Sequence, residues 1–324
     1  MLNVQKKEGL TKTILSLFKE TPAIVFFIVF FIISYFYVPR FSNPANLFNI
    51  IVQASDLIIL SCGMTFVFIN ASIDFSVTGI LPLASMFGAM IMKYNDSFGF
   101  IILAVLAMFL TGFLIGALNG FCVAYLHIPS FIGTMVTQLI FTGIALTLTQ
   151  SKSIGGIPNG FNRIAQGSVA GIPFSFFITV LVVLISAFLL NKTIYGRRVI
   201  AIGVNKKTAA ISGIPVRSTI FSIFVYCGIL SSLASIIMTA RLGAGIPQLG
   251  KDMLMDIVGA VVVGGTAVSG GKGNLAGTVI AAIFMVTLSN SLNLLKLDWY
   301  FINVCKGLLI LVVSMYGVLS NRQA

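Results

Sequence analysis

The stretch GRRVIAIGVNKKTAAISGIPV, Gly196 to Val216, is a polar and basic segment set between two long apolar runs of a very apolar chain. Asn205 is a helix-capping residue type, Lys206 to Ser212 have room for about two turns of helix, and Gly213 supplies a left-handed stop before Pro215 forbids continuation. The segment therefore predicts a short surface helix, closed at both ends. Lys206 and Lys207 fall in its first turn, where the positive end of the helix dipole opposes them. Helix formation does not account for these lysines. An anionic neighbour does, whether an acidic groove on another protein or lipid headgroups. Ala209 and Ala210 are small enough to let such a helix enter a groove.

The rest of the chain explains where that surface lies. Of 324 residues, 58% are hydrophobic and 9% charged, far from the roughly one quarter charged of ordinary globular domains, and the mean hydropathy is +1.06. Apolar runs near or above the roughly 18 to 20 residues that cross a bilayer recur along the whole length, which predicts an all-α, polytopic membrane protein. Ten segments are read: Pro22 to Val38, Leu47 to Ile69, Phe75 to Met92, Phe98 to Leu118, Pro129 to Leu148, Phe174 to Leu190, Ser218 to Ala240, Met253 to Val263, Leu275 to Leu295 and Tyr300 to Leu319. The eighth is too short to cross. It must borrow the glycine-rich stretch after it, or be a broken or re-entrant segment packed against protein. The expected organisation is a cytoplasmic N-terminal segment, 1–21, one transmembrane domain, 22–319, with its polar loop at 191–217, and a cytoplasmic tail, 320–324. Pro39 and Arg40 follow the first apolar run with no small-residue cleavage site, so a retained helix is expected rather than a signal peptide.

The formal charge of +12 suggests nucleic acid only until the positive residues are placed. With a cytoplasmic N-terminus, Lys6, Lys7, Lys12, Lys192, Arg197, Arg198, Lys206, Lys207 and Arg217 share the inner side, with Lys19, Lys272 and Arg322. Arg40, Lys93, Lys152, Arg163, Arg241, Lys251 and Lys296 fall outside. This inside excess follows the positive-inside rule and predicts both termini in the cytoplasm. The four cysteines stand singly in apolar segments and His127 is the one histidine, so no metal site or disulfide framework is expected. Asp56, Asp256 and Lys306 are charges within apolar segments; Lys306 either pairs with Asp256 or snorkels outward.

Gly264 to Gly277, GGTAVSGGKGNLAG, has the composition of a phosphate-binding loop but not its spacing. Thr266 stands where the first glycine belongs and Gly273 where the magnesium-binding hydroxyl belongs. Gly264, Gly265, Gly270, Gly271, Gly273 and Gly277 instead suit close approach of backbones between membrane helices. This run and the NSLNLL of Asn290 to Leu295 resemble the GGxxxxGGxGxxxG and NxxNLL patterns of the permease subunits of ribose-type ABC importers. In the opening stretch, Ala201, Ile202, Gly203, Asn205, Ala209, Ala210, Ser212, Gly213 and Ile214 resemble the coupling helix of that family, which docks into the ATPase subunit. Ser72 to Gly79, SIDFSVTG, resembles its GGIDLSVGS stretch, with Ser72 in place of a glycine and Thr78 in place of another small residue. Ile128 to Ile157 is similar to the family segment beginning IPxFIxTLG. The resemblance runs from about Phe41 to Tyr316.

It implies a permease that binds no cofactor, with ATP used by a separate ATPase docked on Asn205 to Gly213, Lys206 and Lys207 included. It implies a second permease copy or paralogue forming the path, an external solute-binding protein, and a monosaccharide or similar small polar substrate carried across a bacterial inner membrane. Path candidates are Asp74, Ser76, Thr134, Thr137, Gln138, Asn290 and Asn293. Asp74 serves equally as a cap for the following span, whereas Thr134, Thr137 and Gln138, at helical spacing, are read first as interhelical hydrogen-bonding groups and second as groups suited to sugar hydroxyls. The competing transport reading is an ion-coupled carrier or channel, which would place paired ionisable groups at mid-membrane. No nucleotide-binding motif or nucleophile–base arrangement supports an enzyme.

Overall fold

Hydrocarbon offers no hydrogen bonds to a backbone, so an apolar chain must satisfy its peptide groups internally, and helices do so within one segment. The structure, a computed structural model describing residues 22–321, consists almost wholly of helices. The expected N-terminal segment, 1–21, and residues 322–324 of the tail lie outside the described residues. The helices are α1 (Pro22–Tyr37), α2 (Pro44–Ile69), α3 (Val77–Tyr94), α4 (Phe98–Ala124), α5 (Ser130–Leu148), α6 (Asn159–Gln166), α7 (Phe174–Lys192), α8 (Ile194–Val204), α9 (Lys206–Ile211), α10 (Val216–Leu242), α11 (Met253–Val263), α12 (Leu275–Leu294) and α13 (Trp299–Asn321). Seven of them, α2 to α5, α7, α10 and α12, are long and apolar enough to cross a membrane, and α1, α11 and α13 contribute shorter apolar stretches. The protein is thus a polytopic, all-α membrane protein.

The helix starts follow local chemistry. Asn43 caps α2 by accepting from the Ala45 N–H, with Pro44 at the first position where no N–H is needed. Asn274 caps α12 through the Gly277 N–H at 3.0 Å. At the centre, α2 and α10 are buried along most of their length, while α4, α5 and α7 turn many large apolar side chains outward. In a lipid solvent such exposure carries no penalty, and packing there depends on close van der Waals fit.

That fit is tightest between α4 and α10. Gly112, Gly116 and Gly120, spaced by four, form one face of α4. A Cβ at Gly116 would stand 2.6 Å from the Phe224 carbonyl oxygen, and one at Gly120 2.7 Å from that of Phe221. Gly228 answers Gly112 from the α10 side. The sequence reading placed the glycine packing in 264–277 and did not single out this GxxxGxxxG run.

The short α11 resolves the eighth segment. After α10 the backbone turns at Gly243, φ +62°, and residues 243–252 run back along α3 as irregular chain. The Ile246 N–H reaches Ser85 Oγ at 3.4 Å, and Gly250 packs on the Leu81 side chain. The segment is therefore broken, and the irregular stretch that completes it on this side precedes α11. Lys251, expected in an outer loop, sits on this stretch as an exposed residue beside α3. The connection between α5 and α7 is also structured. Ile154 and Gly245 exchange two backbone hydrogen bonds of 2.9 Å, and Gln166 of α6 donates to the Arg241 carbonyl. A two-stranded hairpin, β1 (Ser168–Val169) and β2 (Ile172–Pro173), leads into α7.

Candidate functional site: a surface helix and a polar cleft

Asn205 separates two helices. Its backbone is extended, at φ −159° and ψ 110°, and its Oδ1 accepts from the N–H groups of Lys207 and Thr208 at 2.9 and 3.0 Å. The helix α9 ends as its residues predict: Gly213 is left-handed at φ +78°, and the Ile214 N–H closes on the Ala209 carbonyl at 3.1 Å. Ser212 turns its hydroxyl back to the Thr208 carbonyl. Lys206 and Lys207 are exposed, and partial burial of the Lys206 ammonium draws its pKa below the usual lysine range.

The two alanines part company here. Ala209 is 4% exposed and faces the protein's own core, because the end of the helix folds over it, so the expectation that both enter an external groove is corrected: Ala210 alone is on the open face. Sequence reasoning missed the apolar knobs beside it, Ile211 at 88% and Val204 at 72% exposure. A shallow groove of about 510 Å³ lies beside Ala210, bounded also by Tyr125, Pro215 and Arg217.

Gly203, at the end of α8, is where this surface meets the bundle. A Cβ there would collide with the Ile69 carbonyl and stand 2.6 Å from the Gly271 nitrogen. The Gly271 N–H donates to that same Ile69 carbonyl at 2.8 Å. Gly270 and Gly271 both take left-handed backbone, φ +87° and +76°, and lie against Ala71 and Val204. Gly265 is left-handed as well, Gly273 lies on Ile69, and Gly264 abuts the backbone of Gly277 and Thr278. Three segments thus converge: the end of α2, the α8–α9 element and the loop joining α11 to α12.

The path candidates scatter. Asp74 is fully buried; its Oδ1 accepts from the Ser76 N–H and hydroxyl, and its Oδ2 has no partner. Thr134 accepts from the Phe75 N–H at 3.0 Å and Thr137 donates to Asn119 Oδ1 at 2.9 Å, so both fasten α5 to its neighbours. Asn290 exchanges paired amide hydrogen bonds with Asn46, and Asn293 is exposed at the end of α12. Gln138 borders a cleft of about 210 Å³ between α3, α5 and the returning segment 243–252. Thr78, Pro82, Thr142, Gln248 and Lys251 share its wall. Of these, sequence reasoning had named only Lys251 and Thr78, and neither as part of a path. The available signals were a proline inside an apolar span and a Gly/Pro-interrupted stretch before a segment too short to cross.

Lys306 and Asp256 do meet, at 2.8 Å, and Arg241 meets Asp56 at 2.9 Å. Among the described residues, no group of three or more His, Cys, Asp or Glu side chains comes together as a metal site.

Comparison with known proteins agrees with this architecture. The ribose import permease protein of Bacillus subtilis (strain 168) is 37% identical over 280 residues, 86% of each chain. The D-allose transport system permease protein of Escherichia coli (strain K12) is 34% identical, covering 87% of this chain and 86% of its own. The L-arabinose transport system permease protein of the same organism is 31% identical, covering 90% and 88%. No solved structure matches. Residues 46–314 match the family described as branched-chain amino acid transport system / permease component, and with a bundle of this length and polar cleft behind it, the chain belongs to that family of membrane permeases.

Proposed function

We propose that this chain is the permease subunit of an ABC importer for a monosaccharide or a similar small polar solute. It works beside a second permease copy or paralogue in a bacterial inner membrane. A cytoplasmic ATPase docks on α9 and an external solute-binding protein delivers the substrate. The relatives named for ribose, allose and arabinose support the sugar class. Orientation follows the lysine and arginine asymmetry, with both termini and α9 cytoplasmic. At the other end, Lys93 and Lys152 flank a cleft of about 560 Å³ suited to an acidic surface of the binding protein.

The observation that carries the coupling is the convergence at Gly203. A push on α9 reaches the Ile69 carbonyl and the Gly271 backbone without an intervening side chain. From Gly271 it passes into α11, whose start directly follows the segment that walls the cleft. A backbone-to-backbone contact has no rotamer to absorb displacement, so it transmits movement where a long side chain would yield.

The test is uptake by proteoliposomes holding this chain, its ATPase and its binding protein, with radiolabelled D-ribose, D-allose and L-arabinose supplied in turn. Accumulation of one of them that requires ATP and survives an ionophore supports the importer. Accumulation that follows an ion gradient without ATP establishes the carrier instead.

A further inference from the structure

Lys251 lies on an exposed face of the bundle, far from the ends of the neighbouring helices. Gly250, its neighbour, packs on Leu81, and the Leu81 carbonyl accepts from Ser235 of α10 at 2.7 Å. Leu81 is about 20 Å along α3 from its end at Tyr94, and Ser235 about 10 Å from the end of α10, at 1.5 Å per residue. An ionisable side chain at such a depth needs a partner or a watered cavity. Among the described residues no carboxylate lies within ion-pair distance of Lys251; the two ion pairs are Asp56–Arg241 and Asp256–Lys306. Its side chain borders the cleft of about 210 Å³.

The rest of that cleft is polar in a particular way. Gln138 of α5 and Gln248 of the returning segment both line it. Pro82 lacks the N–H that would close on the Thr78 carbonyl four residues back, so that carbonyl loses its regular helical donor beside the cavity. The Thr142 hydroxyl is buried with no hydrogen-bond partner. Irregular backbone and unsatisfied polar groups cannot face lipid. Donors and acceptors placed around a cationic centre fit a polyhydroxylated solute.

We propose that this cleft is a solute-contact station of the translocation path, in which Lys251, Gln138 and Gln248 donate to the oxygens of a neutral or anionic polyol while the fixed ammonium repels cationic solutes. The proposal rests on the transport reading only in taking the cleft as part of the path. Its new content is the charge selectivity and the residue that sets it. Lys251 is a specificity-determining residue, acting through a field that a cleft with one sign of charge concentrates.

The experiment uses the full chain in membrane vesicles, with Cys122→Ser and Cys305→Ser removing the accessible thiols and buried Cys62 and Cys227 retained. Gln138→Cys is the reporter. Its rates with an anionic sulfonatoethyl and a cationic trimethylammonioethyl methanethiosulfonate are compared, each divided by the rate with free thiol. The anionic reagent should be favoured about tenfold, and Lys251→Gln should bring the ratio to within about twofold of unity while Lys251→Arg keeps it. A ratio that Lys251→Gln leaves unchanged overturns the proposal. So does a reporter inert to both reagents in vesicles where Lys207→Cys reacts. Should Lys251→Gln fail to assemble, Gln248→Cys in the Lys251-containing chain decides: preference for the anion supports the station, and preference for the cation or for neither sinks it. ATP-driven uptake by the unsubstituted complex reports on the importer reading separately.

Discussion

Lys306 Nζ stands 2.8 Å from Asp256 Oδ2, tying α13 to α11 through side chains that are 15% and 21% exposed. Asp56, with no exposure at all, meets Arg241 at 2.9 Å. Paired ionisable groups within the span were the mark by which an ion-coupled carrier was to be told from an importer, and the described residues hold two such pairs. The mark fails because each acid is already held by a base, which neutralises it as a structural tie, whereas the relatives are transport permeases named for sugars.

Neutralising one partner of the Asp256–Lys306 pair leaves a poorly solvated charge. Asp256→Asn should therefore lower stability by about 1–3 kcal/mol, less than for a fully buried pair because both side chains are partly exposed. The double variant Asp256→Asn with Lys306→Met should recover most of the loss. Thermal unfolding in detergent checks both; equal stability of the single variant and the parent would show that the pair contributes nothing.

Gly203→Ala puts a methyl group into the Ile69 carbonyl and the Gly271 backbone. Transport and substrate-stimulated ATP hydrolysis should fall at least about tenfold, the scale at which displacement of a packed contact breaks function. ATPase association in pull-downs should persist, since the docking face is untouched. Loss of association together with loss of transport would place the defect at docking.

The alanines of α9 should now behave differently. Ala210→Trp and Ile211→Asp alter the exposed face and should weaken ATPase binding while the permease stays folded. Ala209→Trp overfills the interior and should destabilise the chain by about 1–3 kcal/mol or more. Glutamates at Lys206 and Lys207 should also weaken binding, despite a better fit to the helix dipole. Unchanged association in the Ala210, Ile211 and lysine variants would reduce α9 to an ordinary surface loop.

Orientation is tested by single cysteines at Lys207 and Asn159 in a cysteine-free background. A membrane-impermeant thiol reagent should reach Asn159→Cys from outside and Lys207→Cys only after the membrane is opened. Labelling of both from outside would reverse the argument from charge.

Local chemistry was the part most legible before folding. Asn205, Gly213 and Pro215 set the limits of α9 by capping, left-handed backbone and a missing N–H, all properties of a few adjacent residues. Apolar run lengths located the long spans for the same reason. The cleft was not legible in that way, because Gln138 and Gln248 share it only through the return of 243–252 along α3, and nothing in the residues around Pro247 states the direction in which the chain leaves α10. Ala209 and Ala210 are indistinguishable as residue types; only the helix's rotation on its support buries one. Asn290 and Asn46 find each other across most of the chain, a pairing that one sequence does not encode locally.

The glycine face shared by α4 and α10 has a consequence for motion. With Gly116 and Gly120 nearly touching the opposing backbone, neither helix can slide or roll on the other without first moving apart, so the two travel as one stiff beam. Any alternation of the cleft between the two sides of the membrane must then come from parts hinged to that beam. The candidates are α5, fastened largely through the hydroxyls of Ser130, Thr134 and Thr137, and the irregular strap beside it, whose glycines at 243 and 250 already bend.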